Sequence, residues 1–218
     1  MTEFEKVRMV RAVVGSVLQE QEDDALRRSG YIHLYGVSEM STLLAARRGL
    51  DVVTASVAGM LHDIYTCRTG LQLLHPPSGA EDARVTLRDL GVFSQEEQQR
   101  IYSAILRHSD KARVDGSYDE LLKDADVLQH YLYDPTQSFP PAAAERIRNV
   151  AAELGLPAAA IRVSETMPIA QADSIGLGAR LANIAEELAR RPLIGDANQS
   201  GPDVWPLIRY FPGARRDR

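Results

Sequence analysis

An all-α protein is expected from three features of this chain of 218 residues. Apolar residues recur at three- and four-residue steps in nearly every segment, no run of four to eight residues alternates cleanly as a half-buried strand would, and Gly and Pro gather where the periodic stretches break. With 44% hydrophobic and 25% charged residues, the chain can close one sizeable core, or a core with an appendage.

Taken in order, residues 4–27 carry Phe4, Val7, Val10, Val14 and Leu18 on one stripe, which predicts an amphipathic helix ending near Gly30. A second helix is expected from about Ile32 to Arg48, with Leu34, Val37, Met40 and Leu44 inward and Gly49 as its stop. Asp51 is a plausible N-cap for VVTASVAGMLHDIY, a segment too apolar and small-residue-rich for a surface helix and therefore placed in the core. Residues 66–79, TCRTGLQLLHPPSG, hold two glycines and two prolines and read as a loop.

A helix is expected over 80–90. Ser94 with Glu97 forms a capping box that opens another through Ile101, Ala104, Ile105 and His108. Residues 119–133 place Leu121, Ala125, Leu128 and Leu132 on one stripe. Pro135 and the SFPP at 138–141 mark the end of the main helical unit, giving a core at 1–135 and a C-terminal helical extension at 136–218. In the extension, AAAERIRNVAAELG and IGLGARLANIAEELARR read as two more amphipathic helices. The tail bears Trp205, Tyr210 and Phe211, expected to pack on the core or on a second subunit, so a homodimer is open.

The formal charge of -5 leaves no basic surplus of the kind that neutralises phosphate backbones, so no nucleic-acid partner is expected, although a cationic pocket for one small anion is compatible with it. The single cysteine, Cys67, cannot form an internal disulfide and reads as an inert thiol rather than a nucleophile. The N-terminus is acidic without a signal-like apolar core, and no apolar stretch approaches the roughly 20 residues that span a bilayer. A cytoplasmic protein with no membrane partner is therefore expected.

All five histidines lie between residues 33 and 130. His62 and Asp63 end the most apolar helix, where a charged carboxylate is costly unless paired or metal-bound. His33 shares its row with Val37, Met40 and Leu44, and His108 continues the row of Ile101, Ala104 and Ile105. Asp126 follows Leu122 by four and adjoins Ala125. Four segments thus point an imidazole or carboxylate toward one interior. Asp124 falls nearer the exposed edge, and His130 and Asp110 read as solvated or capping groups.

The ordered set of His33, His62-Asp63 and Asp126 on helices resembles the HD superfamily of metal-dependent phosphohydrolases. YIHLYGVSEMSTLLAARRGLDVVTASVAGMLHD resembles the family's opening, and LLKDADVLQH its closing helix; the likeness covers about residues 28–135. The stretch HPPSGAEDARVTLRDLGVFSQEEQQRIYSAILRHSDK is similar to the segment that supplies two further histidines in the two-metal branch, which includes the symmetrical dinucleoside tetraphosphate hydrolases. The corresponding residues are His75 and His108.

This resemblance implies an HD-type helical bundle and a hydrolase for a nucleotide or related small phosphate ester or anhydride. His33, His62, Asp63 and Asp126 would hold one divalent transition metal ion, and Asp63, His75 and His108 a second, with Asp63 bridging and His62 and Asp63 at the catalytic centre. Imidazole and carboxylate donors suit Fe, Mn, Co or Zn better than Mg. Arg68, Arg107 and Lys111 are the candidates for the substrate phosphate.

The chain departs from the family after His62-Asp63, where it reads Ile64-Tyr65-Thr66-Cys67-Arg68 without the frequent lysine, and after His108, where Ser109-Asp110-Lys111 replaces a small-residue turn. Two other readings share the ligand set. One is an HD-type di-iron oxygenase; the other is a non-catalytic helical protein that keeps the metal as a structural clip.

Overall fold

The computed structural model describes residues 2–71, 74–156 and 161–164. Among them are eight helices and one minimal strand pair, as an all-α reading requires. Helix α1 (Glu3–Gln19) opens with a capping box in which the Glu5 N–H reaches Thr2 Oγ1 and the Thr2 N–H reaches Glu5 Oε2. It ends earlier than its amphipathic pattern predicts. Asp23 accepts the N–H groups of Ala25 and Leu26 at 2.7 and 3.0 Å and thereby starts α2 (Asp24–Arg48), so one expected helix is divided and the second begins well before Ile32. Gly30, expected as a stop, is a buried position inside α2 where the Leu18 side chain occupies the space a Cβ would need. Phe4, expected on the inner stripe, is 88% exposed because only the later turns of α1 meet the core.

Helix α3 (Val52–Leu61) starts at Asp51, whose carboxylate accepts the Thr54 N–H at 2.7 Å, and every residue from 53 to 61 is buried. Its small residues let α2 lie almost backbone to backbone against it: a Cβ added at Gly59 would stand 2.7 Å from Ser38 Cα. Ser38 Oγ donates to the Ser56 carbonyl at 2.9 Å at the same contact. This crossing holds the helix bearing His33 against the helix that ends at His62.

The segment expected as a loop over 66–79 is largely helical. Helix α4 (Ile64–Thr69) ends at Gly70 in the left-handed region, and α5 (His75–Leu90) begins with Pro76 and Pro77 in its first turn. Proline lacks only an N–H that the first turn leaves unpaired, and its fixed φ suits that position, so the two prolines start a helix where they read as a break. A Cβ at Gly79 would lie 2.8 Å from the His62 carbonyl oxygen, so α5 enters directly over the end of α3.

Helix α6 (Gln95–Arg107) carries the expected Ser94–Glu97 capping box, and α7 (Ser117–Tyr133) buries Leu121, Ala125 and Leu128 but leaves Leu132 half exposed. Helix α3 is central, touching α1, α2, α6 and α7. Its surroundings include Leu34, Leu44, Ile101, Ile105 and Leu128, all wholly buried. Helix α8 (Pro141–Glu153) packs on α7 through a smaller cluster of Val127, Tyr131, Phe139, Ala144 and Ile147. The strands β1 (Ser138–Phe139) and β2 (Arg162–Val163), not anticipated from the pattern, pair in parallel with Ser138 opposite Arg162.

Arg48, at the end of α2, ties these elements together by reaching Asp124 at 2.8 Å and Glu153 at 2.7 Å. The helix expected within IGLGARLANIAEELARR and the aromatic residues Trp205, Tyr210 and Phe211 lie outside the described residues. No helix among the described residues is long and apolar enough to cross a membrane.

Candidate metal centre

Four helix ends or faces converge at the C-terminal end of α3. His33 projects from the middle of α2, His62 and Asp63 sit where α3 gives way to α4, His108 caps the end of α6, and Asp126 lies mid-way along α7. His62, His108 and Asp126 are buried. The donor atoms of His33, His62 and Asp126 lie within 4.8 Å of one another, as do those of His62, Asp63 and His108. Five of the six residues expected as metal ligands are thus brought together in these two groups, and the sixth, His75, stands at the rim with Nε2 3.8 Å from Asp63 Oδ1.

Hydrogen bonds fix which nitrogen each imidazole presents. His62 Nδ1 donates to the Gly59 carbonyl at 2.8 Å, His108 Nδ1 to the Ile105 carbonyl at 2.6 Å, and His33 Nδ1 to Gln129 Oε1 at 2.9 Å. In its neutral form each ring therefore turns a bare Nε2 lone pair inward. The Nε2 atoms of His33 and His62 are 3.0 Å apart. Two facing lone pairs at that distance repel unless a positive charge lies between or beside them, and a proton or a metal ion meets that need.

Asp63 is divided between two neighbourhoods. Its Oδ2 lies 3.5 Å from His33 Nε2 and 3.6 Å from His62 Nε2, while its Oδ1 lies 3.5 Å from His108 Nε2 and 3.8 Å from His75 Nε2. Although it stands at the N-terminus of α4, Asp63 makes no capping hydrogen bond, and Oδ1 is buried with no hydrogen-bond partner. A carboxylate oxygen left so costs about 1–3 kcal/mol or more, which a cation at that point would remove. The donor set and the orphaned oxygen both fit a divalent transition metal.

The charges of the residues agree with this fit. Burial pushes the His62 imidazole down to about 4, so it stays neutral and ligand-ready at neutral pH. Burial also works to raise Asp63, but the imidazoles of His62, His108 and His33 outweigh it and hold the carboxyl far below its ordinary range. Asp126 is likewise ionised, with Lys111 the largest influence opposing its burial. His33 moves the other way: burial lowers it, yet the carboxylates of Asp63 and Asp126 and the Gln129 acceptor raise it above its ordinary value. The cluster thus favours one added positive charge.

Of the three expected phosphate-binding cations, Lys111 reaches the centre, with Nζ 2.5 Å from Asp126 Oδ2 and 2.7 Å from the His108 carbonyl. Arg68 lies 3.5 Å from Asp82 on α5. Arg107 turns to Ser103 and to Asp119, at 3.2 Å, on the face of α6 that lines a cleft of about 720 Å³ with Tyr118 and Arg100. Asp124 is a partner of Arg48 and Arg146, and Asp110 accepts the Arg113 N–H as a turn cap. Burial pushes the Cys67 thiol up to about 11, in keeping with an inert residue.

Three contributors escaped the sequence reading. His130, one turn after Asp126, places Nε2 3.5 Å from Asp126 Oδ1 and its ring 4.7 Å from that of His33. The i, i+4 spacing was the available signal, and an exposed position at the helix end argued against it. Gln129 orients His33, and Ser109 Oγ bridges His75 and His108 at 2.9 and 3.3 Å. Neither carries a sequence signal, because each depends on how separate elements are spaced.

No curated protein sequence matches the chain significantly. Among solved structures, the crystal structure of a predicted HD superfamily hydrolase from an uncultured Thermotogales bacterium is similar, with 25% identity, 69% of this chain and 88% of that chain covered, and a TM-score of 0.43. Residues 30–131, the stretch that holds every one of the clustered histidines and aspartates, match the HD domain family.

Proposed function

We propose that this protein is a metal-dependent phosphohydrolase that cleaves a phosphate ester or anhydride of a nucleotide or related small molecule. The observation that carries the reading is the division of Asp63, whose two oxygens face separate pairs of imidazoles. A carboxylate so placed suits a bridge between two ions, one held by His33, His62, Asp63 and Asp126 and the other by Asp63, His75 and His108. Divalent ions there would supply a water activated at neutral pH and polarise the phosphoryl oxygens. Fe, Mn, Co and Zn all suit such donors.

The chain's own groups serve the remaining needs of phosphoryl transfer. His62 stays neutral through burial, and Asp63 and Asp126 stay ionised, so these three ligands are in their metal-binding forms at neutral pH, while His33, raised above its ordinary value, gives up its proton when an ion binds. Lys111 lies beside Asp126 and is partly exposed, which suits an ammonium that turns from the carboxylate to an incoming phosphate and offsets its developing charge. Arg68 is a second candidate from the α4 side. The finer reading, a nucleotide substrate of the kind used by dinucleoside tetraphosphate hydrolases, is supported by the pairing of His75 and His108 across Asp63.

The test is a phosphate-release screen of mono- and dinucleotides with protein loaded in turn with Mn, Fe, Co and Zn. Release from at least one nucleotide, abolished in His62→Ala, is expected. Oxygen consumption with a phosphonate or polyol, and no phosphate from any nucleotide, would replace this reading with the oxygenase one.

A further inference from the structure

We infer that Arg146, on α8 and outside the residues that match the HD domain, is the positioning residue that holds Lys111 at the metal centre; the inference rests on Lys111 being a phosphate contact. Lys111 belongs to residues 109–116, which join α6 to α7 without helical hydrogen bonds of their own. A lysine on an unsupported turn would spread over many rotamers and would have to give up that freedom to hold one place. Here the backbone that carries it is pinned on both sides of residue 112.

Arg146 Nε donates to the Lys111 carbonyl at 2.6 Å, and Nη2 donates to the Arg113 carbonyl at 3.1 Å. The rest of the guanidinium is anchored on α7, with Nη2 2.8 Å from Glu120 Oε2 and Nη1 2.9 Å from Asp124 Oδ1. Lys123, wholly buried, adds a bond from below to the Arg113 carbonyl at 2.8 Å. Only a planar fork with several donors can take two carbonyls and two carboxylates at once. The result is that the Lys111 backbone is fixed relative to α7, the helix that carries Asp126, and the Lys111 ammonium lies 2.5 Å from that carboxylate. A side chain from α8 thereby sets the place of a charge at the centre.

The experiment uses the full chain loaded with Mn²⁺ and inorganic phosphate as the probe, followed by calorimetry. Arg146→Lys keeps a cation between Glu120 and Asp124 and hence that ion pairing, but one ammonium cannot span both carbonyls. Phosphate affinity should fall about tenfold or more in Arg146→Lys, the size expected for one hydrogen bond to a charged group. Lys111→Ala should fall by a similar factor, and the double variant should fall no further, since one residue acts through the other. Mn²⁺ stoichiometry should stay at the wild-type value in Arg146→Lys. Unchanged phosphate affinity in Arg146→Lys alongside a loss in Lys111→Ala, additive losses in the double variant, or lost Mn²⁺ in Arg146→Lys would each overturn the positioning role. Undiminished phosphate affinity in Lys111→Ala would instead refute the role of Lys111 on which the inference rests.

Discussion

Replacing Gly59 by Ala should damage the metal centre although Gly59 carries no ligand. The added Cβ would stand 2.7 Å from Ser38 Cα and 2.8 Å from Ser38 N, both backbone atoms that cannot swing aside. Reaching an ordinary contact of at least 3.4 Å requires α2 and α3 to part by about 0.7 Å at this crossing. Those helices bring His33 and His62 within 3.0 Å, and the Gly59 carbonyl is the acceptor that orients His62. Metal–ligand distances tolerate only about 0.2 Å, so a shift of this size exceeds what the site can absorb without rearrangement. Overpacking of this kind costs about 1–3 kcal/mol. At roughly 2–4 °C per kcal/mol for a chain of this size, the midpoint of thermal unfolding should fall by several degrees. Calorimetric Mn²⁺ titration of the folded variant should show at least tenfold weaker binding. Wild-type Mn²⁺ affinity in Gly59→Ala would refute the claim that this helix crossing sets the ligand spacing.

Other outcomes follow from particular groups. Gln129→Ala removes the acceptor that fixes the His33 tautomer, and metal affinity should drop about 10–100-fold with little change in unfolding temperature, as measured by calorimetry. Lys123→Ala removes a wholly buried ammonium from between Asp115 and Glu120 together with its bond to the Arg113 carbonyl, and chemical denaturation should show a lower midpoint than the wild type. In chelator-treated protein, His62 has a folded pKa of about 4 against an ordinary 6.5, so the unfolded chain takes up its proton first as acid is added. Its contribution is therefore full above pH 6.5 and lost as pH falls toward 4, and thermal midpoints should decline across that window. His33, whose folded pKa is raised, contributes with the opposite sign, fully below 6.5 and less above it, so it does not cancel the acid-side decline.

Much of this molecule is legible in its sequence because the relevant signals are local. The Ser94 capping box, the Asp51 cap and the Gly49 stop each need only a few neighbouring residues, and each forms. His33, His108 and Asp126 were visible because each extends an apolar row that the core must bury. The division between α1 and α2 was hidden because the acidic run through residue 24 continues the polar face of an amphipathic helix, while the Asp23 cap competes with helix continuation on nearly equal terms.

The start of α5 was hidden because Pro76-Pro77 reads equally as a break or as a first turn, and the burial of α5 against the end of α3 decides between them. The Gln129, His130 and Ser109 contacts depend on distances between helices that no local pattern encodes. Arg107 illustrates the converse: it is a candidate for the substrate phosphate, but residues adjacent on a helix point about 100° apart, so it turns away from His108 and Asp119 holds its guanidinium on the other face.

The claim on which all of this turns is that Asp63 joins two ion sites built from five neighbouring ligands. Mn²⁺ titration of chelator-stripped wild-type protein and of His62→Ala, read as ions bound per chain, tests it most directly. Two ions per chain in the wild type, with binding lost in His62→Ala, is the predicted result. A single ion, none at saturating Mn²⁺, or full wild-type stoichiometry in His62→Ala would contradict it.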